Sequence, residues 1–379
     1  MDRQMASIQK CVALSPIDGA DKIEKATILG WECVVKRDEF KVGDLGVYIE
    51  IDSIVPNTPA FEFLKERKFR IRTIKLRGVT SQGLFMPLSA FPELKRVAEG
   101  QDVSKKLGVT KYDPEEIVGQ STQPKKRPWW FYILVRIPFV RDLILRKVRG
   151  GGGYSFPTHL VPKTDETRLQ AFGPNFLETY KDLPISITQK MDGSSLTMIW
   201  HKGKLSVCSR NVWFPTYKDN AFWNIIKEIG FTEKFLKSMK LKDFALQGEL
   251  CGPGIQGNKY KLERPVLFVY GMWDMVQREY LNPNELRFAV ESFHSLLGNP
   301  EALQYIDELE SNTTIGAIGT TVDEWIKYAT TKNRFNPDTF NEGIVVRSLD
   351  NKPYGVSKMN GKRFSLKVVS PSYLLQWGL

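Results

Sequence analysis

The apolar residues of this 379-residue chain fall in short runs broken by turn formers, a pattern that points to β-rich folds. Before residue 110 the runs are Ile8–Leu14, Gly30–Val35, Gly46–Ile51, Arg70–Leu76 and Gly83–Pro87, separated by turns such as Ile17–Asp18–Gly19 and Val42–Gly43–Asp44. Short strands at this spacing predict a small five-stranded β-barrel, with Gly78–Gly83 as a tight crossing before its last strand. Barrels of this size often bind nucleic acid; a barrel that only packs on its neighbour is the alternative. From about residue 155 an α+β domain is predicted. Its strands are Ile185–Lys190, Leu196–Trp200, Lys204–Ser209, Phe244–Leu250, Val266–Trp273, Gly343–Ser348 and Arg363–Val369. Helix starts are written at Asn282–Pro283–Asn284–Glu285 and, with capping-box spacing, at Thr321–Val322–Asp323–Glu324.

Between these parts lies a basic, aromatic stretch. Residues 121–150 hold eight Lys/Arg against one acid, Asp142, and so supply +7 of the net charge of +11. Pro138 breaks any long helix there. The arginines suit an RNA backbone or an anionic membrane surface, whereas the aromatics suit a hairpin packed on the body. No run gives 18 uncharged apolar residues, so no membrane-spanning helix is expected. Cys11, Cys33, Cys208 and Cys251 are scattered without metal-site spacing, and no secretory leader is legible. The expectation is an intracellular protein, cytoplasmic or nuclear, in a reducing compartment and without integral membrane association.

The chemistry concentrates after Gln189–Lys190–Met191–Asp192–Gly193, which closes the apolar run Leu183–Ile187. A lysine at a strand end can be a covalent nucleophile once it loses its proton, and a divalent cation near Asp192 would favour the neutral amine. Alone, Lys-x-Asp-Gly is equally a polar strand end before a turn. Four further clusters follow, each on or beside a predicted strand: Ser209–Arg210–Asn211, Gln247–Gly248–Glu249–Leu250, Asn341–Glu342–Gly343 and Ser365–Leu366–Lys367. The apolar strand Leu267–Asp274, carrying Tyr270, lies between the second and third.

In this order the clusters resemble the motifs of the covalent nucleotidyltransferase superfamily, which includes polynucleotide ligases and capping enzymes. Lys190–Gly193 is similar to motif I, Ser209–Asn211 to Ia, Gly248–Glu249 to III, Leu267–Asp274 to IIIa, Glu342–Gly343 to IV and Ser365–Lys367 to V. Only twelve residues follow Lys367, too few for the C-terminal OB barrel of DNA ligases and capping enzymes. The stretches Asp21–Glu24, Gly30–Trp31, Val42–Asp44, Arg77–Gly78 and Ser81–Leu84 instead resemble the N-terminal OB domain of ATP-dependent RNA ligases of the Deinococcus and Naegleria type. So do Pro162–Gln170 and Gly252–Tyr260 in their upstream and post-motif III signatures. Two departures stand out: Gln189 where relatives often have Glu, and Ser365 where many ligases have a second motif V lysine.

The resemblance implies an OB-fold RNA-binding domain over 1–110, a linker or helical insert over 111–154 and a nucleotidyltransferase domain of antiparallel sheets over 155–379. It implies an RNA ligase that uses ATP with Mg²⁺ or Mn²⁺ and forms lysine–AMP on Lys190. The enzyme would then join a 5′-phosphate to a 3′-OH, at nicks in duplexes, as a monomer. Asp192 and Glu342 would hold the metal. Gln189, Glu249, Tyr270, Ile344, Lys367 and Arg210 would contact the nucleotide. Arg168 and Lys367 would assist catalysis, and Arg168, Arg210, Asn211, Gln256, Asn258 and Lys259 would contact RNA. A capping-type guanylyltransferase and a non-catalytic RNA-binding protein on a ligase fold are the alternatives.

Overall fold

The computed structural model describes residues 4–112, 154–173, 175–297, 299–350, 354 and 363–379; the basic stretch 121–150 lies outside them. The N-terminal part is a curled antiparallel sheet in the order Trp31–Lys36, Ala20–Ile28, Ala6–Ile17, Leu45–Ile49, Leu84–Pro87. The first hairpin turns at Asp18–Gly19, where Gly19 has φ 69°. Ile8, Trp31, Tyr48 and Phe61 are fully buried inside the sheet.

A five-stranded barrel sheet is therefore present, but one of its strands differs from the expectation. Ala20–Ile28 supplies it, a segment whose Asp21, Lys22, Glu24 and Lys25 kept it out of the apolar runs. Arg70–Leu76 is broken instead. Arg70–Ile71 pairs with Ser53–Ile54, and Thr73–Leu76 forms a separate hairpin with Val79–Gln82. The expected crossing Gly78–Gly83 is thus one turn residue and the second arm of that hairpin. The inward turn of Arg70, toward the Asp52 carboxylate at 3.6 Å, accompanies the break.

The remainder holds two sheets. One runs Thr167–Arg168, Ser365–Val369, Gly343–Ser348, Pro184–Lys190, Glu308–Thr314. The other is built on Lys204–Cys208, Ser194–His201, Phe244–Cys251 and Val266–Asp274, with shorter strands at both ends. Each buries one face. Ile185, Ile187, Ile344, Val346, Leu366 and Val368 pack with Trp325 of the helix Val322–Ala329. Leu196, Met198, Leu246, Leu250, Leu267 and Val269 pack on the helices Ala221–Ile229 and Pro283–Leu296. Both expected helix starts are capping boxes, at Asn282 and Thr321.

Strand side chains alternate between faces, so the opposite faces carry Thr188, Lys190, Arg347 and Lys367 on one sheet and Ser195, Thr197 and Glu249 on the other. The chain crosses between the sheets at Met191–Gly193. The barrel is fastened to this assembly from both directions. Arg168 Nη2 donates to Asp52 Oδ2 at 2.9 Å, and the Gly30 amide donates to the Gln170 carbonyl at 2.9 Å. Val369, Tyr373 and Leu374 join the barrel's apolar core.

Candidate active site

Lys190 is the last residue of its strand, directly across from Gly343. The backbones are close there: a Cβ on Gly343, whose φ is 149°, would meet the Val368 carbonyl oxygen at 2.1 Å. The Lys190 ammonium donates to Glu342 Oε2 at 2.6 Å, with the two side chains 24% and 15% exposed. After the crossing, Gly193 donates its amide to Glu249 Oε1 at 3.1 Å. A Cβ on Gly193 would lie 2.3 Å from the Leu250 carbonyl oxygen, so this close approach of backbones requires glycine.

Three carboxylates surround one ammonium. Burial alone would depress the Lys190 pKa, but Glu342 and Glu249 outweigh it and hold the group above its ordinary value. Burial, with Glu342 and Asp192 nearby, pushes the Glu249 carboxyl up to about 8 despite Lys190. Glu342 is likewise raised, by burial and then by Asp192, against the pull of Lys190 and Lys367. Such crowding of acids favours a bound cation. Asp192 Oδ2 accepts from both Tyr373 Oη and Lys259 Nζ, and the Asp192 amide donates to Tyr260 Oη at 2.6 Å.

A cationic rim adjoins these acids. Lys367 Nζ lies 3.2 Å from Asp165 Oδ1, while Asp165 Oδ2 takes Lys111 at 2.6 Å and Arg210 at 3.6 Å. Burial opposes the Asp165 charge, yet these three cations hold its pKa well below the usual range. Glu166, whose side chain is 16% exposed, is kept ionised against desolvation by Arg347, Lys367 and Arg363. Across the cleft Tyr270 Oη contacts Thr164 Oγ1 at 3.0 Å and Ser195 Oγ at 3.4 Å, and burial followed by Glu249 pushes the phenol up to about 12. The Arg347 guanidinium lies 5.8 Å from the Tyr270 ring centre.

Comparison with known proteins matches an OB-fold domain model over residues 5–88 and the RNA ligase model over residues 183–369. No curated protein matches in sequence. Among solved structures, the Naegleria gruberi RNA ligase is similar along nearly its whole length. A glutamate-to-alanine mutant of it with AMP and Mn has 30% identity and a TM-score of 0.76, with 98% of each chain covered. A lysine-to-methionine mutant with AMP and Mn gives 29%, 0.77 and 98% of each chain, and the form with PPi gives 29%, 0.76 and 98% of each. The chain belongs to the RNA ligase family.

Within this RNA ligase the fold brings Lys190, Asp192, Glu249, Tyr270, Glu342 and Lys367 to one cleft, with Lys259 at its edge on Asp192. Three expected contacts lie elsewhere. Ile344 is 2% exposed and sits in the core cluster behind the sheet, because it pairs with Gln189 and both project away from Lys190. Gln189 is 4% exposed, and its amide donates to Asn341 Oδ1 at 2.6 Å. Arg168 is 6% exposed and turned to the barrel's Asp52, which places it at the domain junction.

The expected RNA contacts are spread out. Arg210 is at the rim, and Asn211 Oδ1 accepts from Lys163 at 2.9 Å. Gln256 is exposed on its loop, and the Asn258 amide bonds both the nitrogen and the carbonyl oxygen of Leu262, bracing that loop. Sequence reasoning gave no role to Asp165, Glu166, Tyr260, Arg347 or Tyr373. Asp165 and Glu166 lie within the Pro162–Gln170 stretch and Tyr260 closes Gly252–Tyr260, so these three had a local signal in the resemblance. Among the described residues no helix is long and apolar enough to cross a membrane.

Proposed function

We propose that this enzyme is an ATP-dependent RNA ligase working through a lysine–AMP intermediate. Lys190 Nζ attacks the α-phosphorus of ATP, forming a P–N bond as pyrophosphate leaves. AMP then passes from Lys190 to an RNA 5′-phosphate. A 3′-hydroxyl attacks that end, AMP leaves, and a phosphodiester forms. Each transfer is in-line, so the protein's share is positioning and charge neutralisation. The observation that carries the reading is Lys190 paired with Glu342 at 2.6 Å and backed by Glu249. The similar Naegleria gruberi structures with ATP and Mn, AMP and Mn, and PPi support it.

The donor set fits a divalent cation that keeps most of its water. Asp192 and Glu342 are the carboxylates to hold it, and among the described residues no tighter cage of His, Cys, Asp or Glu competes. Such an ion would supply positive charge opposite the α-phosphate, and with Glu342 turned to it the Lys190 amine would more readily be neutral and nucleophilic. Lys367 offers a fixed positive charge to the same phosphate. Glu249 is suited to the ribose hydroxyls and Tyr270 to stacking on adenine. Val345, which pairs with Lys367 and shares its face of the sheet, takes the place expected of Ile344. Arg210 and Lys259 contribute at the edge.

We assign residues 1–110 to RNA recognition and 155–379 to chemistry. The proposed substrate is a nick in a duplex, sealed by a monomer. Four buried, unpaired cysteines favour a location inside the cell. The test is intact mass after incubation with ATP and Mg²⁺ or Mn²⁺. The protein should gain one AMP and Lys190→Ala should gain none; labelling that persists in the variant would refute the assignment.

A further inference from the structure

The barrel carries a second concentration of positive charge. From Lys65 to Arg77 stand seven lysines and arginines against one acid, Glu66. The fold lays this run around a cavity of about 200 Å³ whose wall includes Arg67, Arg70 and Arg72 and no acidic side chain. Phe63, in the same wall, is 62% exposed, a large ring that the barrel core leaves unused. It lies four residues before Arg67 in the short helical segment Pro59–Arg67.

Arg70 is 8% exposed, and its Nε has no hydrogen-bond partner among the described residues. Its guanidinium lies 3.6 Å from the Tyr112 ring centre, so it is held in place with N–H capacity left over. The Asp52 carboxylate at 3.6 Å already takes one side of this guanidinium, and the unused Nε–H favours a further acceptor beside it. The cavity is smaller than the pockets that enclose whole ligands, and suits one planar group with its charged flanks left outside. An exposed aromatic ring beside phosphate-binding cations is how single strands are gripped without sequence preference.

We propose that this groove binds a single-stranded stretch of the RNA substrate, with one base on Phe63 and neighbouring phosphates on Arg67 and Arg72, and Arg70 behind them. The inference rests on the RNA ligase reading and adds a site outside the catalytic cleft. The groove and cleft are joined by one element. Arg72 Nη1 donates to the Gly378 carbonyl at 3.2 Å, just past the helix Pro371–Trp377, and Tyr373 of that helix bonds Asp192.

The test uses the full-length protein without ATP and a labelled single-stranded RNA, beside the same strand lacking its bases. Phe63→Ala should weaken RNA binding roughly five-fold or more, the loss of one stacked base, and leave binding of the abasic strand unchanged. Arg67→Gln should weaken both strands and flatten the dependence of log K on log salt by about 0.7. Neither residue belongs to the catalytic cleft, so AMP uptake from ATP should match the parent in both variants. Unchanged RNA affinity in both overturns the proposal, as does an equal loss on the two strands for Phe63→Ala. Vesicle binding that falls in Arg67→Gln while RNA binding holds overturns it in favour of a lipid surface. A parent protein that binds RNA through these residues yet takes up no AMP would refute the lysine chemistry and leave the groove standing.

Discussion

Replacing Glu249 by Gln is expected to stabilise the free enzyme increasingly as pH rises. Burial, then its acidic neighbours, lift this carboxyl from the ordinary 4.5 to about 8. The folded protein therefore keeps a proton that the unfolded chain has already released. The associated stability is fully present below about pH 4.5 and is lost as pH rises through about 8. At 1.36 kcal/mol per pH unit the rise corresponds to a ceiling of about 5 kcal/mol. Part of it is shared with Glu342, a raised carboxyl in the same cluster, so about 2–3 kcal/mol is the expected gain. Gln keeps the shape and an oxygen for the Gly193 amide, and it has no charge to bury. Parent and Glu249→Gln should therefore unfold in urea alike near pH 4.5 and separate by about 2–3 kcal/mol at pH 8.5, read by tryptophan fluorescence. A gap of the same size at both pH values, or a less stable variant at pH 8.5, would refute the reasoning. The same variant should take up AMP more slowly, since the position is assigned to ribose.

Asp52→Ala should cost about 3 kcal/mol in thermal unfolding, because it takes the shared carboxylate from two buried arginines, Arg70 and Arg168. A loss below about 1 kcal/mol would contradict a buried ionic junction. Tyr373→Phe removes one donor from Asp192 Oδ2 and should raise the metal concentration that half-saturates AMP uptake, with little change at saturating metal. An unaltered metal titration would show that this bond does not position Asp192.

The strands that carry the cleft were legible because their signal is local: short apolar runs closed by glycine or charge. Pro184–Lys190, Phe244–Cys251 and Gly343–Ser348 fall where those runs lie. The faces of these strands were harder to read. Gln189 and Ile344 flank motif residues in sequence, but a strand sends neighbours to opposite sides, and their pairing with each other is a fact of register between segments 155 residues apart. The strand Ala20–Ile28 was hidden by its own charges, which point to solvent in a two-sided sheet. The Asp52–Arg168 bond joins residues 116 apart and leaves no trace in either neighbourhood. Arg168, expected to assist catalysis and contact RNA, is thus paired with a residue that sequence proximity does not reveal.

The sharing of the barrel's core with Val369, Tyr373 and Leu374 bears on how the chain comes to be folded. On a ribosome the barrel strands emerge first, yet residues that complete their apolar interior are made about 260 positions later. At 5–20 residues per second the nascent barrel waits on the order of 15–50 s with that surface uncovered. During this interval it is a natural client for a chaperone. Closing of the interior by the segment 369–374 also brings Tyr373 to Asp192, so the barrel and the Lys190 loop would reach their final form in a single late event.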